Sequence, residues 1–347
     1  MDRTQLVKKL ELASRALANN NLIEIYQSFR FSNGKVLAYN DVLGISTDCE
    51  IEDEFLVDGV TLRDLLKATT AEEIEVNLED DHVSIIAEKS LFKLPFREID
   101  DFPFEEPKDK WDVSLTMDEA FIKGMEICLV TSATDQTQEA IMGVSLRAAG
   151  KVLALYSCDG DALTRFRTTA HVKDAKQHYM LPNSFCEAIT KMFGELECEE
   201  ALLEVNGEWA KATLGDCIVY GRIQTKEPEF DYEAHIKKAV KGEIKGVPVP
   251  IDFNDALSRA RVVADREGKA TQLEIFKGKL NLVTKVDHLG IIRDGMVIRG
   301  HADAQASISA RLVQRAIAVC HEMAVCENCC VFTDGEAVMQ IVANLNE

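Results

Sequence analysis

The sequence predicts an α+β chain of three pseudo-repeated domains, each with two helices packed on antiparallel sheets, and three observations predict it. A hairpin signature occurs three times, an amphipathic helix stands before and after each copy, and proline-bearing connectors separate the copies. The hairpins are "NGKVLAYND" from Asn33, "AGKVLALYS" from Ala149 and "KGKLNLVTK" from Lys277. A Gly-Lys step heading an alternating apolar run marks a tight turn that opens a strand.

The leading helices read "TQLVKKLELASRAL" from Thr4, "TMDEAFIKGMEICL" from Thr116 and "DFNDALSRARVVAD" from Asp252. Thr4, Thr116 and Asp252 are expected N-caps, because their side-chain oxygens can accept a free first-turn amide hydrogen. Helical spacing puts Leu6, Leu10, Ala13 and Leu17 on one face, and Phe253, Leu257, Ala260 and Ala264 on another. The second helices start near Val60, Pro182 and Ser309, which lie 122 and 127 residues apart, a domain-sized period rather than a solenoid repeat. Alternating strands follow each, turning at "EDD", "NGE" and "DGE". Connectors at 100–112 and 225–250 hold Pro103, Pro107, Pro228, Pro248 and Pro250 and lack clean periodicity. The expected domains are therefore 1–109, 110–228 and 229–347.

Composition narrows the function. A chain of 347 residues exceeds what one core organises. Its apolar runs, such as "VSIIA" and "CIVYG", are too short to span a bilayer, so no membrane partner is expected. The start lacks a basic patch followed by an apolar run and cleavage site, which makes the cytoplasm the expected compartment, bacterial or that of an infected host. Ten scattered cysteines read as buried small hydrophobes kept reduced. "CENCC" at 326–330 has a Cys-x-x-Cys spacing that could begin a zinc site, but no second pair is correctly spaced, and His321 is placed on the preceding helix. "CDGD" from Cys158, with Asp174 nearby, lacks the ligand spacing of a cation loop and reads as a tight turn. The histidines are dispersed and no phosphate-cradling glycine loop occurs, so no enzyme, metal or cofactor is expected. A net charge of −20 argues by itself against DNA binding, whose affinity comes from Lys and Arg on phosphates.

This arrangement resembles the DNA polymerase III beta subunit, the DNA sliding clamp of bacteria, and its viral relatives. "DDFPFEEPKDKWDVSLT" is similar to the family's acidic Asp-Phe-Pro and Trp connector, "CDGDALTRF" stands at its Thr-Asp-Gly-His-Arg-Leu turn, and "LPNSF" at 181–185 at the strand-to-helix entry that follows. Asp161 and Ala162 replace the His-Arg pair, and the tail "NLNE" lacks the usual Pro and Met. The resemblance implies the DNA clamp fold, closed into a ring by two copies joined head to tail. It implies a processivity factor that encircles double-stranded DNA without reading its sequence and tethers a replicative DNA polymerase, with a clamp loader as a further partner. An acidic clamp-fold scaffold or decoy, binding partner peptides without encircling DNA, is the alternative.

A DNA-facing lining requires basic helix stripes within an acidic chain. Lys8 and Arg15 are seven apart opposite Leu6 and Leu10, Arg259 and Arg266 repeat that spacing, and Arg311 and Arg315 are four apart; Arg63, Lys67 and Lys191 complete the expected DNA-binding set. The middle unit is near neutral or acidic, with Asp118, Glu119 and Glu126 against Lys123. Solvated helix faces would give the same stripes. The resemblance also implies a partner-peptide pocket at Ile141, Leu163, Ile341, Val342 and Ala343, and a dimer interface at Phe92, Leu94, Val263 and Ala264. Ile141 is expected on a strand and Leu163 partly exposed after its turn.

Overall fold

The computed structural model describes residues 1–19, 23–108, 110–149, 152–169, 176–223, 230–242 and 244–345. Seven α-helices occur among them: α1 (Arg3–Ala13), α2 (Gly59–Ala68), α3 (Glu119–Leu129), α4 (Asn183–Glu195), α5 (Tyr232–Val240), α6 (Phe253–Glu267) and α7 (Ala310–Ile317). The apolar faces expected of α1 and α6 are buried, Leu10, Ala13, Phe253 and Leu257 completely.

Two caps differ from the expectation. Asp2, not Thr4, caps α1, its Oδ1 accepting from Gln5 N at 2.9 Å. Thr116 belongs to the strand Val113–Met117, paired with Leu202, and Asp118 Oδ1 takes the Phe121 amide at 2.8 Å. In both places a carboxylate was available, and it gains from the positive end of the helix dipole as well as from the hydrogen bond. Asp252 does occupy the cap position of α6, without a side-chain bond.

The chain divides into two compact units, Met1–Ile122 with Ser184–Lys226, and Lys123–Asn183 with Glu227–Glu347. The first holds one eleven-stranded antiparallel sheet. Its order is Glu75–Leu78, His82–Ala87, Ser90–Arg97, Phe55–Asp58, Ser28–Ser32, Lys35–Tyr39, Leu43–Asp48, Cys217–Arg222, Trp209–Leu214, Ala201–Val205 and Val113–Met117. Helix α1 packs on α2 and on strand Leu43–Asp48.

The second unit holds two antiparallel sheets. One runs Lys176–Leu181, Val144–Ala149, Val152–Cys158, Ala162–Thr169, Val338–Ala343, Cys329–Asp334, Glu322–Val325 and Val247–Pro248; the other runs Gly290–Val297, Lys279–Val286, Thr271–Phe276 and Ala304–Ile308. Helix α6 packs on α7 and on the strands Lys279–Val286 and Gly290–Val297.

The repeated hairpins have one backbone cause. Asn33 and Gly34 join the first pair with φ of 51° and 71°, and Lys277 and Gly278 join the third with φ of 49° and 76°. Two successive left-handed residues make the turn whose twist matches a two-stranded ribbon, and glycine adopts its second position without strain. Gly150 and Lys151, the middle copy, lie outside the described residues.

Strand order repeats with the hairpins. In each of three sets a meander carries a fourth strand on its first member: Phe55–Asp58 on Ser28–Ser32, Lys176–Leu181 on Val144–Ala149, and Ala304–Ile308 on Thr271–Phe276. The last meander strand of the first set, Leu43–Asp48, continues into Cys217–Arg222, and that of the second, Ala162–Thr169, into Val338–Ala343. The corresponding third strand, Gly290–Val297, is an open edge among the described residues.

The connectors are built, not slack. Phe102 and Phe104 of the first are buried, Phe104 lying 4.7, 5.5 and 5.2 Å from the rings of Tyr39, Trp209 and Tyr220. The second, read as lacking periodicity, contains α5, capped by Asp231, whose Oδ1 accepts from Ala234 N at 3.1 Å. Residues 225–229 and 243 of that connector lie outside the described residues.

Candidate functional site

In the first unit the packing of α1 on α2 brings four expected cations together. Lys8, Arg15, Arg63 and Lys67 line a depression of about 480 Å³ with Glu11, Leu12, Ser14, Glu195 and Leu196. Arg15 sits past the end of α1, in the turn Ser14–Ala16, and its Nη2 meets both carboxylate oxygens of Glu195, at 2.7 and 2.5 Å. Lys67 pairs with Glu11 at 2.6 Å and Arg63 with Asp64 at 2.8 Å. Lys8 is exposed and makes no ion pair among the described residues. Such solvent-facing pairs contribute about 0 to 1 kcal/mol, so a phosphate can displace the acid at small cost.

In the second unit Arg259, Arg266, Arg311 and Arg315 are all exposed on α6 and α7. Asp294 holds Arg259 through its Nε and Nη2, the shortest contact being 2.7 Å. Arg266, Arg311 and Arg315 make no ion pair among the described residues. Arg261, missed in the sequence, is turned into the helix pair, on Gln314 at 2.6 Å and Asp265 at 2.9 Å. Lys191 is exposed on α4, the helix that also carries Glu187 and Glu195. The helices α1, α2, α3, α4, α6 and α7 together carry twelve Lys and Arg against nine Asp and Glu, a net +3 in a chain of −20. Charge is segregated by element.

The expected pocket residues also meet, though not as an open pocket. Leu163 opens strand Ala162–Thr169 directly opposite Ile341, and both are buried with Tyr156, Val331, Met339 and the α5 residues Tyr232 and Ile236. Val342 is buried beside them in the ladder, Ala343 half-buried at its end. Leu163 is 7 % exposed, against the expectation of partial exposure, because the tight turn ends before it: Asp159 Oδ1 takes the amides of Asp161 and Ala162 at 3.0 and 2.7 Å. Ile141 lies in a 3₁₀ turn, Gln136–Ile141, not on a strand, and packs half-buried against the same cluster. Leu163→Ser is therefore expected to destabilise by about 2 to 5 kcal/mol through a cavity and a buried hydroxyl, and Ile141→Ser by distinctly less. Urea denaturation compares them, and equal losses would contradict this packing.

Helix α5 is fastened over that cluster at both ends. Glu233 accepts from the Tyr156 hydroxyl at 2.7 Å and from Arg167 at 2.9 Å, with Arg165 at 3.7 Å. Burial pushes the Glu233 carboxyl up, but the Tyr156 bond and the two guanidiniums outweigh it and hold it below its ordinary value. Burial and the same carboxylate push the Tyr156 phenol up to about 12. Arg147 donates to the Phe230 carbonyl at 2.8 Å and stands 5.2 Å from the Tyr156 and Tyr232 ring centres. The i, i+4 pair Tyr232 and Ile236 behind Asp231 was the available sequence signal for this helix.

Of the residues expected at a dimer interface, Leu94, Val263 and Ala264 are buried within their own units and Phe92 is half-buried on the inner face of Ser90–Arg97. The exposed apolar residues lie beside them: Leu91 at 56 %, Ile291 at 53 % and Val297 at 66 %. His321 falls beyond the end of α7, facing Asp334 at 3.4 Å, rather than on the helix. Asp174 lies outside the described residues. No His, Cys, Asp and Glu cluster suited to a metal occurs among the described residues, and no helix among them is long and apolar enough to cross a membrane.

Three similar sets of strands and helices, joined edge to edge and with positive charge gathered on the helices, define the sliding-clamp fold. No protein-family model matches the chain. Its structure is similar over its full length to the DNA polymerase III beta subunit of Thermotoga maritima, at 19 % identity and a TM-score of 0.85, covering 98 % of that chain. It is similar over its full length to a putative DNA polymerase III beta subunit from Eubacterium rectale, at 16 % and 0.89 over 98 % of that chain. A DNA polymerase sliding clamp from Pseudomonas aeruginosa matches all of it at 14 % and 0.89, over 99 % of that chain.

Proposed function

We propose that this chain is a DNA sliding clamp, a non-enzymatic processivity factor in which two copies close head to tail around double-stranded DNA. It tethers a replicative polymerase and other partners, and a clamp loader places it on DNA. The observation that carries the reading is the open third junction. Two of the three equivalent strand junctions form within the chain, and at the third Gly290–Val297 has a strand neighbour on one side only among the described residues. The strand of the first set that corresponds to Cys217–Arg222 and Val338–Ala343 is Ser90–Arg97. Ser90–Arg97 meets Phe55–Asp58 only through Phe96 and Arg97, and pairing its earlier residues in one copy with Gly290–Val297 of the other completes the series and covers Leu91, Ile291 and Val297. An exposed edge with apolar side chains recruits such pairing, and an interface that uses two different patches closes into a ring when its rotation permits.

The charge on the helices supports DNA as the occupant. Sequence-blind sliding requires weak attraction to phosphates, and a net +3 spread over six helices supplies that without a tight grip. The acidic α3 and α4 favour the second reading, a scaffold or decoy that binds partner peptides without encircling DNA. Loading on nicked circular DNA separates the two. A clamp is retained through a high-salt wash and released when the circle is cut, whereas a protein washed equally from circular and linear DNA is not one. The half-buried rim of the α5 cluster, with Ile141 and Ala343, is where partner peptides are proposed to dock.

A further inference from the structure

We propose that Cys326 and Cys329 form a peroxide-oxidisable dithiol whose closure into a disulfide releases the C-terminal end of α5 from the hairpin beneath it. The two cysteines flank a two-residue turn, Glu327 and Asn328, between the strands Glu322–Val325 and Cys329–Asp334, and the Cys326 amide donates to the Cys329 carbonyl at 2.8 Å. Val325 pairs with Cys330, so Cys326 and Cys329 are the next pair across the ladder. Hydrogen-bonded antiparallel partners have Cα atoms about 5.5 Å apart, within the roughly 4.4 to 6.8 Å that a disulfide spans. Cys326 is half-exposed and Cys329 buried. An oxidant therefore reaches one sulfur while the other is held ready to resolve it.

The proton arrangement favours attack by Cys326. The single S–H of Cys329 has two acceptors, the Ala239 carbonyl at 3.7 Å and the Cys326 sulfur. That bond from Cys329 holds the Cys326 thiol below its ordinary value, which favours its thiolate. Burial pushes the Cys49, Cys128, Cys158, Cys198, Cys217, Cys320 and Cys330 thiols up instead.

The same turn holds α5. Lys241, the left-handed residue that ends the helix at φ 44°, reaches Glu327 at 2.8 Å, and Ala239 and Val240 pack on the cluster that contains Cys329 and Cys326. In the oxidation the Cys326 thiolate attacks a peroxide oxygen and the O–O bond breaks, giving a sulfenic acid, while the departing hydroxide takes up the proton released when the thiol ionised and leaves as water. The Cys329 sulfur then attacks Cys326, the S–O bond breaks, and the departing oxygen takes the Cys329 proton as a second water. Two thiols are oxidised and one peroxide is reduced. The S–H donor to Ala239 is gone, and the turn that carries Glu327 is cross-linked. This proposal does not depend on the clamp reading.

The test uses the full chain, reduced and then titrated with hydrogen peroxide. Thiol alkylation and peptide mapping are expected to show the loss of two hydrogens confined to the Cys326–Cys329 peptide. Amide exchange is expected to quicken severalfold across 232–241 but not in α6, and dithiothreitol reverses both changes. With Cys326→Ser, peroxide leaves the hairpin and α5 exchange unchanged; with Cys329→Ser, Cys326 accumulates as sulfenic acid. Both thiols remaining open to alkylation after excess peroxide, a disulfide to Cys330, or a Cys326–Cys329 disulfide that leaves α5 exchange unmoved would each overturn the proposal.

Discussion

Neutralising Lys8, Arg311 and Arg315 together to glutamine is expected to reduce the slope of log affinity for duplex DNA against log salt by about 2 to 3, since each phosphate contact contributes about 0.9. Between 50 and 200 mM salt the unmodified protein should then lose about 40-fold more affinity than the variant. These three are chosen because they are exposed and make no ion pair among the described residues. Arg15 and Arg259 already face Glu195 and Asp294, so neutralising them removes less net attraction and also frees an acid. The same change at Lys108 and Lys110, in the first connector, should leave the slope unaltered. Equal effects from the connector and helix sets, read by fluorescence anisotropy across salt, would mean that the helices are not the DNA-facing surface.

The second large effect concerns assembly. Leu91→Asp combined with Ile291→Asp is expected to convert the assembly to single chains at micromolar concentration, measured by sedimentation. Each substitution puts a carboxylate where the proposed strand pairing would cover an apolar side chain, and burying an unpaired charge is costly. Both side chains are more than half exposed in the single chain, so the variant should keep its melting temperature. Charges at Phe92 and Leu94 would test less cleanly, because Leu94 is part of the first unit's own core and its loss confounds unfolding with dissociation. An assembly mass unchanged by the double substitution would move the interface elsewhere.

The threefold pattern was legible because its marks are local. A left-handed turn demands glycine, and the apolar period of α1 and α6 follows from burying one face, so Gly34, Gly278, Leu10 and Leu257 announce their roles in sequence. What was not legible depends on partners far along the chain. Nothing near Arg15 reveals that Glu195, 180 residues away, neutralises it. Leu163 looked accessible as the residue after a turn, yet its burial is decided by Ile341 and by α5. Helix α5 was hidden among connector residues because nine residues provide too few turns for a clear period, although Asp231 and the Tyr232 and Ile236 pair marked it. The thiol pair at 326 and 329 was visible as a spacing, but which sulfur is exposed follows only from the cluster beneath it.

The continuity of the sheets sets an order for synthesis. Strand Leu43–Asp48 leaves the ribosome early, but the neighbour that covers it contains Cys217, which contacts Thr47 across 170 residues of chain. At about 5 to 20 residues per second, that edge waits on the order of ten to thirty seconds for its partner. The edge at Ala162–Thr169 has a comparable wait for Val338–Ala343. Each half-made chain therefore displays an unpaired strand of the kind that neighbouring nascent chains could capture, and the partner strands of all three sets share the same topology. The repetition that gives the finished protein equivalent joints makes the growing chain dependent on correct timing.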